Sequence, residues 1–239
     1  MKLSIVIPVY NSESSLIILY NRIIQFVACS YEIIFVDDAS TDSSMSILTE
    51  LSHYKNVKVL HIEKNIGQQA ALYCGLKHAS GDYIVTMDDD LQHKATDINL
   101  LVKKIEEGYD LVYGIGKDDY GAHRHLGSKM TALFFKYHYR HMGDKRVSSF
   151  RIFSRQLNQK ILNCDYKFIY LSGILLNHTR LVGQLEIVKM KRPYGHSGYN
   201  FLKLLKLFLR LNYYYGILPE WMKPKHKSIK ITELNEGMI

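Results

Sequence analysis

Residues 82–92 read DYIVTMDDDLQ, an apolar run that stops at three consecutive acids. Such a run, bounded by polar residues, fits a buried strand. Just upstream, the spacing from about Gly67 to Ala79 predicts a helix. The same unit recurs outward from this point. Before it come a strand over Ser4–Tyr10, a helix near Glu13–Ala28, a strand over Glu32–Asp38, a helix over Asp42–His53 and a strand over Val57–Ile62. After it come a helix over Thr96–Glu107 and a strand over Asp110–Ile115. Short apolar strands alternating with longer helices predict an α/β fold, a mostly parallel sheet with helices on both faces.

Polar groups collect where these strands end. Tyr10-Asn11, Asp37-Asp38, Asn65 and Asp88–Asp90 all fall at carboxyl ends, the edge where open α/β sheets bind ligands. If residues 88–92 stay extended, Asp88, Asp90 and Gln92 point the same way, because side chains alternate. Two carboxylates on one side suit a hard divalent cation, Mg²⁺ or Mn²⁺, with Gln92 adding an oxygen or holding a metal water. Asp89 would point elsewhere. Asp37 or Asp38 could accept from a nucleobase or a ribose, and Thr41 or Asp42 would cap the next helix. The Asn65-Ile66-Gly67 helix start offers N–H groups that could face an anion. Neither GxxxxGK[ST] nor an early GxGxxG is present, which disfavours a P-loop enzyme and a dinucleotide dehydrogenase.

The second half is less regular. It is read as a basic helix over 121–142, a short strand over Ser148–Ser154, a helix over Phe168–Val182 and a strand over Glu186–Arg192. A helix over Ser197–Tyr215 follows, capped by Ser197, and then a loosely held tail from Pro219. Charge divides the chain similarly. Residues 1–115 carry nine Lys and Arg against fifteen Asp and Glu; residues 116–239 carry 22 against eight. Acids would serve a cation-assisted site, and the basic half would meet anions. A nucleic-acid groove also looks basic and aromatic, as His123–Lys160 does, but the acidic half argues against it. Cys29, Cys74 and Cys164 are too scattered for a disulfide framework or zinc site and are read as reduced, buried thiols. The start, MKLSIVIPVYN, reads as a strand and not a signal peptide, so a cytoplasmic chain is expected. No run reaches the roughly 18 apolar residues of a membrane span.

Taken together, SIVIPVYNSE, EIIFVDDASTDSS, NIGQQAALYCGLKHASGDYIVTMDDDLQ, YGIGKDD, LGSKMTALFFKY, SSFRIFSR and KRPYGHSGY resemble family 2 inverting glycosyltransferases of the GT-A fold. That fold is a Rossmann-like sheet. The pattern looks like the polyprenyl-phosphate sugar transferases, such as dolichol-phosphate mannose synthases. The resemblance implies a nucleotide-sugar donor surrounded by Pro8, Tyr10, Asn11, Glu13, Asp38, Gln69 and Asp88. It implies a metal held by Asp88, Asp90 and Gln92. Asp90, Arg124 and Arg192 would be catalytic, with Ser128, Arg151 and Ser197 around the acceptor and its phosphate. Ser12 separates Asn11 from Glu13, and Gly198 stands where the pattern usually has lysine.

The implied reaction moves a sugar from a nucleotide diphosphate to a lipid phosphate with inversion. A phosphate acceptor is already anionic and needs no general base; a sugar-hydroxyl acceptor would need one. That related transferase and a non-catalytic nucleotide-sugar-binding scaffold are the alternatives. The expected organisation is a glycosyltransferase domain over 1–199, an amphipathic helix over 200–218 and a polar basic tail over 219–239. Residues 200–215, NFLKLLKLFLRLNYYY, place Lys203, Lys206 and Arg210 within a sector of about 60°. The rest is apolar, which suits the surface of a membrane at its cytoplasmic face, or a membrane-anchoring partner.

Overall fold

The computed structural model describes residues 1–117, 125–191, 193, 201–216 and 236–238. The first half alternates as its pattern predicts: β1 (Lys2–Val9), α1 (Glu13–Phe26), β2 (Ser30–Asp37), α2 (Ser44–Leu51), β3 (Val57–Ile62), α3 (Gln68–Lys77), β4 (Tyr83–Thr86), α4 (Thr96–Ile105) and β5 (Leu111–Gly116). Then come α5 (His125–His138), a 3₁₀ turn (Arg140–Met142), β6 (Arg151–Ser154), α6 (Arg155–Leu162), α7 (Leu171–His178), β7 (Val182–Ile187), α8 (Phe201–Tyr215) and β8 (Glu236–Met238). The eight strands lie in the order β7-β5-β6-β4-β1-β2-β3-β8. Neighbours β1–β2, β1–β4, β2–β3 and β5–β7 are parallel. β6 runs antiparallel to β4 and β5, and β8 antiparallel to β3.

Strand alternation divides the core in two. Leu3, Ile5, Ile7 and Val9 of β1 pack with Leu16, Leu48 and Ile98 of α1, α2 and α4. Val6 faces the other way, with Leu72, Phe134 and Leu175 of α3, α5 and α7. Both faces of the strands are thereby covered, which is why they read as unbroken apolar runs. Gly75 lets α3 lie tight on the sheet, since a Cβ there would stand 2.5 Å from Val6 Cγ1 and 2.8 Å from Val36 Cγ2.

Pro8 sits in a central strand, where a missing N–H normally breaks the ladder. Val6 O accepts from Met87 N, whereas Val9 O accepts from Asp38 N, so position 8 faces the β4 side. Pairing with β4 covers only Leu3–Val6. The absent donor therefore falls beyond the last pair, at the edge where the site opens.

Several details differ from the sequence reading, beginning with α6 (Arg155–Leu162), which it did not anticipate, and β6, which starts at Arg151 and not Ser148. The helix expected through Val182 ends at His178, because Thr179 turns extended (φ −143°, ψ 151°) and its hydroxyl donates to Asp110 Oδ2 at 2.6 Å. The next strand begins at Val182, not Glu186, since Val182–Ile187 pairs fully with β5. Within the expected loose tail, Glu236–Met238 adds a strand to β3. Of the three cysteines only Cys74 is buried; Cys29 and Cys164 are partly exposed. The expected cap at Ser197 lies outside the described residues.

Candidate active site

The carboxyl edge of the sheet gathers the loops after β1, β2, β3 and β4. Three residues there other than glycine adopt positive φ: Asn11 at 52°, Ala39 at 59° and Leu91 at 61°. Asparagine tolerates this region; alanine and leucine pay for it in steric strain. One such residue in each of three neighbouring loops is the kind of local strain that gathers at functional sites.

The first two loops are laced together. Asn11 Oδ1 accepts from Thr41 N at 2.8 Å, and Asn11 N donates to Ser40 Oγ at 3.0 Å. Glu13 Oε2 accepts from Ser43 N at 2.9 Å, while Glu13 N donates to Asp42 Oδ2 at 3.1 Å. Asp42 also accepts from Ser44 N at 2.9 Å, so it serves the start of α2 from outside. Burial opposes its charge, but bonds from Ser44 and the Glu13 N–H prevail and lower its pKa. Asn11 and Glu13, expected at the nucleotide, brace these two loops against each other. Tyr10 is 50% exposed on the same rim.

Asp37 and Asp38 are nearly inaccessible, at 0% and 2%. Asp37 Oδ2 lies 2.9 Å from His61 Nδ1. Asp38 receives Ile66 N at 2.7 Å and Gly67 N at 2.8 Å. Those are the N–H groups that the sequence reading left open for an anion. Asp38 takes them, because its carboxylate reaches the start of α3 from β2. Burial raises its pKa, the two N–H bonds pull it back, and Asp37 adds to the rise.

The acidic triplet is not extended. β4 ends at Thr86, and the left-handed Leu91 turns the chain toward α4. Asp88 and Asp90 still belong to one group of charges, since both act on Asp89 between them. Asp88 Oδ1 accepts from Gln68 Nε2 at 2.5 Å and Oδ2 from Ser149 Oγ at 2.5 Å. Burial raises the Asp88 pKa and Asp90 adds to it, against the Ser149 bond and the charges of Arg151 and Lys189. Asp89 points aside and accepts from Ser12 Oγ. Burial pushes Asp89 up to about 6, with Asp88 and Asp90 contributing and the Ser12 bond opposing. Asp90 Oδ1 accepts from Gln92 N at 3.0 Å, and Gln92 O accepts from Met190 N at 2.8 Å. Among the described residues no three His, Cys, Asp or Glu side chains form a ready metal cage.

Arg151, expected near an acceptor phosphate, turns inward. It is 2% exposed, donates from Nη1 to Ser172 Oγ at 2.9 Å and lies 5.6 Å from the Tyr113 ring centre. β6 alternation leaves its side chain beneath Asp88 and not at the surface. Pro8 is likewise inside the sheet. Gln69 Oε1 accepts from Leu171 N at 3.0 Å, tying α3 to α7. Its neighbour Gln68 reaches Asp88 instead, being rotated about 100° around the helix. Gln68 and Ser149 were not anticipated, although both lie inside the conspicuous stretches NIGQQ and SSFRIFSR. Arg124, Arg192 and Ser197 lie outside the described residues, and Ser128 is placed only as part of α5.

A family model described as glycosyl transferase family 2 matches residues 4–166. The undecaprenyl-phosphate 4-deoxy-4-formamido-L-arabinose transferase of Proteus mirabilis strain HI4320 is 35% identical over 219 residues, covering 88% of this chain and 66% of that protein. The protein of the same name from Klebsiella pneumoniae strain 342 is 32% identical over the same shares. The chain spans just under two thirds of the length of these relatives. Among solved structures, glucosyl-3-phosphoglycerate synthase from Mycobacterium tuberculosis, in complex with Mn²⁺, UDP and glucosyl-3-phosphoglycerate, superposes with a TM-score of 0.68 at 20% identity, over 91% of this chain and 81% of that one. Staphylococcus aureus TarS 1–349 in complex with UDP-GlcNAc gives 0.61 at 21% identity, over 93% and 69%. At these identities the likeness establishes a shared fold.

Proposed function

The chain belongs to glycosyl transferase family 2, and on that premise we propose that it moves a sugar from a nucleotide-diphosphate sugar to a polyprenyl phosphate, with inversion. The observation that carries this reading is the Asp88–Asp90 group just beyond β4, joined through Asp89 to Ser12, in the loop that Asn11 and Glu13 brace. The names of the undecaprenyl-phosphate relatives support the acceptor class. The UDP-bound complexes that share the fold support the donor class.

The donor set fits a hard divalent cation. Asp88 and Asp90 offer carboxylate oxygens and Gln92 an amide oxygen, the ligands that Mg²⁺ and Mn²⁺ prefer. Two carboxylates are enough when phosphate oxygens complete the shell, which suits a site with no three-residue cage. Bound there, the cation would act as a Lewis acid for the departing diphosphate. The chain's own residues do the rest. Tyr10 lays its exposed ring on the nucleobase. Gln68 and Ser149 hold the Asp88 carboxylate in one orientation, and Arg151 backs it with buried positive charge. Arg124, Ser128, Arg192 and Ser197 serve the phosphates of donor and acceptor.

In the transfer, a phosphate oxygen of the acceptor bonds to the anomeric carbon as the bond to the nucleoside diphosphate breaks. The acceptor oxygen carries no proton, so no base is needed. The test is a donor screen by thermal shift with Mn²⁺ and uridine or guanosine nucleotide-sugars, followed by transfer of labelled sugar to a lipid phosphate. Asp90→Ala removes a metal ligand and should abolish turnover with folding intact. Full activity in that variant would refute the metal assignment.

A further inference from the structure

Among the described residues, two helices of the second half present one basic, apolar, exposed face. α5 (HLGSKMTALFFKYH) and α8 (FLKLLKLFLRLNYYY) contain no Asp or Glu. Their inward sides are fully used: Phe134, Phe135 and Leu211 are at most 2% exposed. Their outward sides are not polar. Leu133 and Tyr137 on α5 are each 64% exposed, and Leu209 on α8 is 59% exposed. Lys136 lies between the first two, and Lys206 and Arg210 flank the third, all exposed.

The two stripes border one seam. His138 Nε2 and Asn212 Oδ1 lie 3.3 Å apart across it. Tyr137 directly precedes His138, and Leu209 stands about one turn from Asn212. Arg210 is held over the Phe168 ring at 5.7 Å. Lys136 is partly neutralised by Asp144 at 2.9 Å, so Lys206 and Arg210 are the stronger cations of the face.

We infer that this α5–α8 face docks on the surface of an anionic lipid bilayer. Large apolar side chains ringed by cations match an interface whose headgroups are negative and whose next layer is hydrocarbon. A soluble face would carry acids among its bases. The inference deepens the proposed function, resting on its lipid-phosphate acceptor, because the face is wired to the site. Tyr215, at the end of α8, accepts from Tyr170 N at 3.2 Å. Leu171 N, the next residue, donates to Gln69, beside the Gln68 that holds Asp88. No described helix is long and apolar enough to cross a membrane, so the contact is with the surface.

The experiment is sedimentation of the full chain with vesicles of phosphatidylglycerol and phosphatidylcholine, against phosphatidylcholine alone. Anionic vesicles should bind it and neutral ones should not, with binding weakened by salt. Lys206→Gln with Arg210→Gln should lower partition roughly 25-fold, at about five-fold per cation. Leu133→Ser, Tyr137→Ser and Leu209→Ser, surface changes that leave the core intact, should each weaken it further. Absent binding, equal binding to neutral vesicles, or wild-type binding by these variants overturns the inference. So does a dimer, seen by sedimentation velocity, that the same substitutions dissolve while vesicle binding persists. Sugar transfer to a short-chain polyprenyl phosphate free in solution separates the two readings. Its failure with vesicle binding intact overturns the acceptor assignment alone.

Discussion

Glu32→Gln should cost stability at neutral pH and progressively less in acid. Glu32 lies on β2 with its side chain 5% exposed. Its carboxylate accepts from Ser4 Oγ at 2.6 Å, Ser80 N at 2.7 Å and Ser80 Oγ at 2.8 Å. Lys58 Nζ stands 3.0 Å away and Lys2 Nζ 3.3 Å. Burial alone would raise its pKa, but these bonds overcome it and hold the group at about 2, against 4.5 for a free glutamate. A depressed pKa stabilises the fold above the unfolded value and loses that contribution as pH falls through the folded one. The difference is worth about 3 kcal/mol at pH 7. About 2 kcal/mol of it is gone by about pH 3. Urea denaturation of wild type and Glu32→Gln at both pH values measures the gap. A gap that does not narrow in acid, or one below about 0.5 kcal/mol at pH 7, would show that the carboxylate charge is not what ties β1, β2, β3 and the Ser80 loop together.

Three other outcomes follow from the same geometry. Gly75→Ala drives a Cβ into two stiff valines, so overpacking of about 1–3 kcal/mol should exceed the helix-propensity gain of about 1 kcal/mol. Denaturation should show net loss, with reduced donor binding because α3 carries Gln68. Ala39→Gly relieves left-handed strain of about 1–2 kcal/mol at an entropic cost of about 0.5–1 kcal/mol. Its denaturation midpoint should rise slightly, and a fall would mean that Ala39 is not strained. Ser149→Ala should weaken Mn²⁺ binding, read directly by calorimetry, while leaving the fold at wild-type stability within about 1 kcal/mol.

The first half was legible because its physics is local. Apolar runs of strand length and helices between them show themselves in sequence, and the loops that build the site fall at predictable strand ends. The second half was harder for the same reason. Thr179 ends α7 through a bond to Asp110, and Glu236–Met238 finds its partner in β3, with most of the chain between them. Neither event leaves a mark in its own segment. The extended geometry on which period-two reasoning depended is absent at residues 88–92, because the chain bends over residues 89–91 and Leu91 is left-handed. Tertiary contacts from Gln68 and Ser149, not strand geometry, hold Asp88 in place.

The charge division acquires a physical meaning from these contacts. Most of the acids at the sheet edge are consumed internally: Asp38 by the start of α3, Asp42 and Glu13 by the loop pair, Asp37 by His61, Asp89 by Ser12. Asp88 is held by Gln68 and Ser149, yet burial and the nearby Asp90 charge both disfavour its carboxylate, a resting state that a cation and a diphosphate together would improve. The bases divide likewise. Arg151 is spent behind Asp88, while Lys206 and Arg210 stand outward on a helix whose last tyrosine touches the loop beside Gln69. The proposed donor site on the acidic side and the proposed attachment face on the basic side are therefore joined by one short run of contacts, from Tyr215 through Tyr170, Leu171 and Gln69 to Gln68 and Asp88.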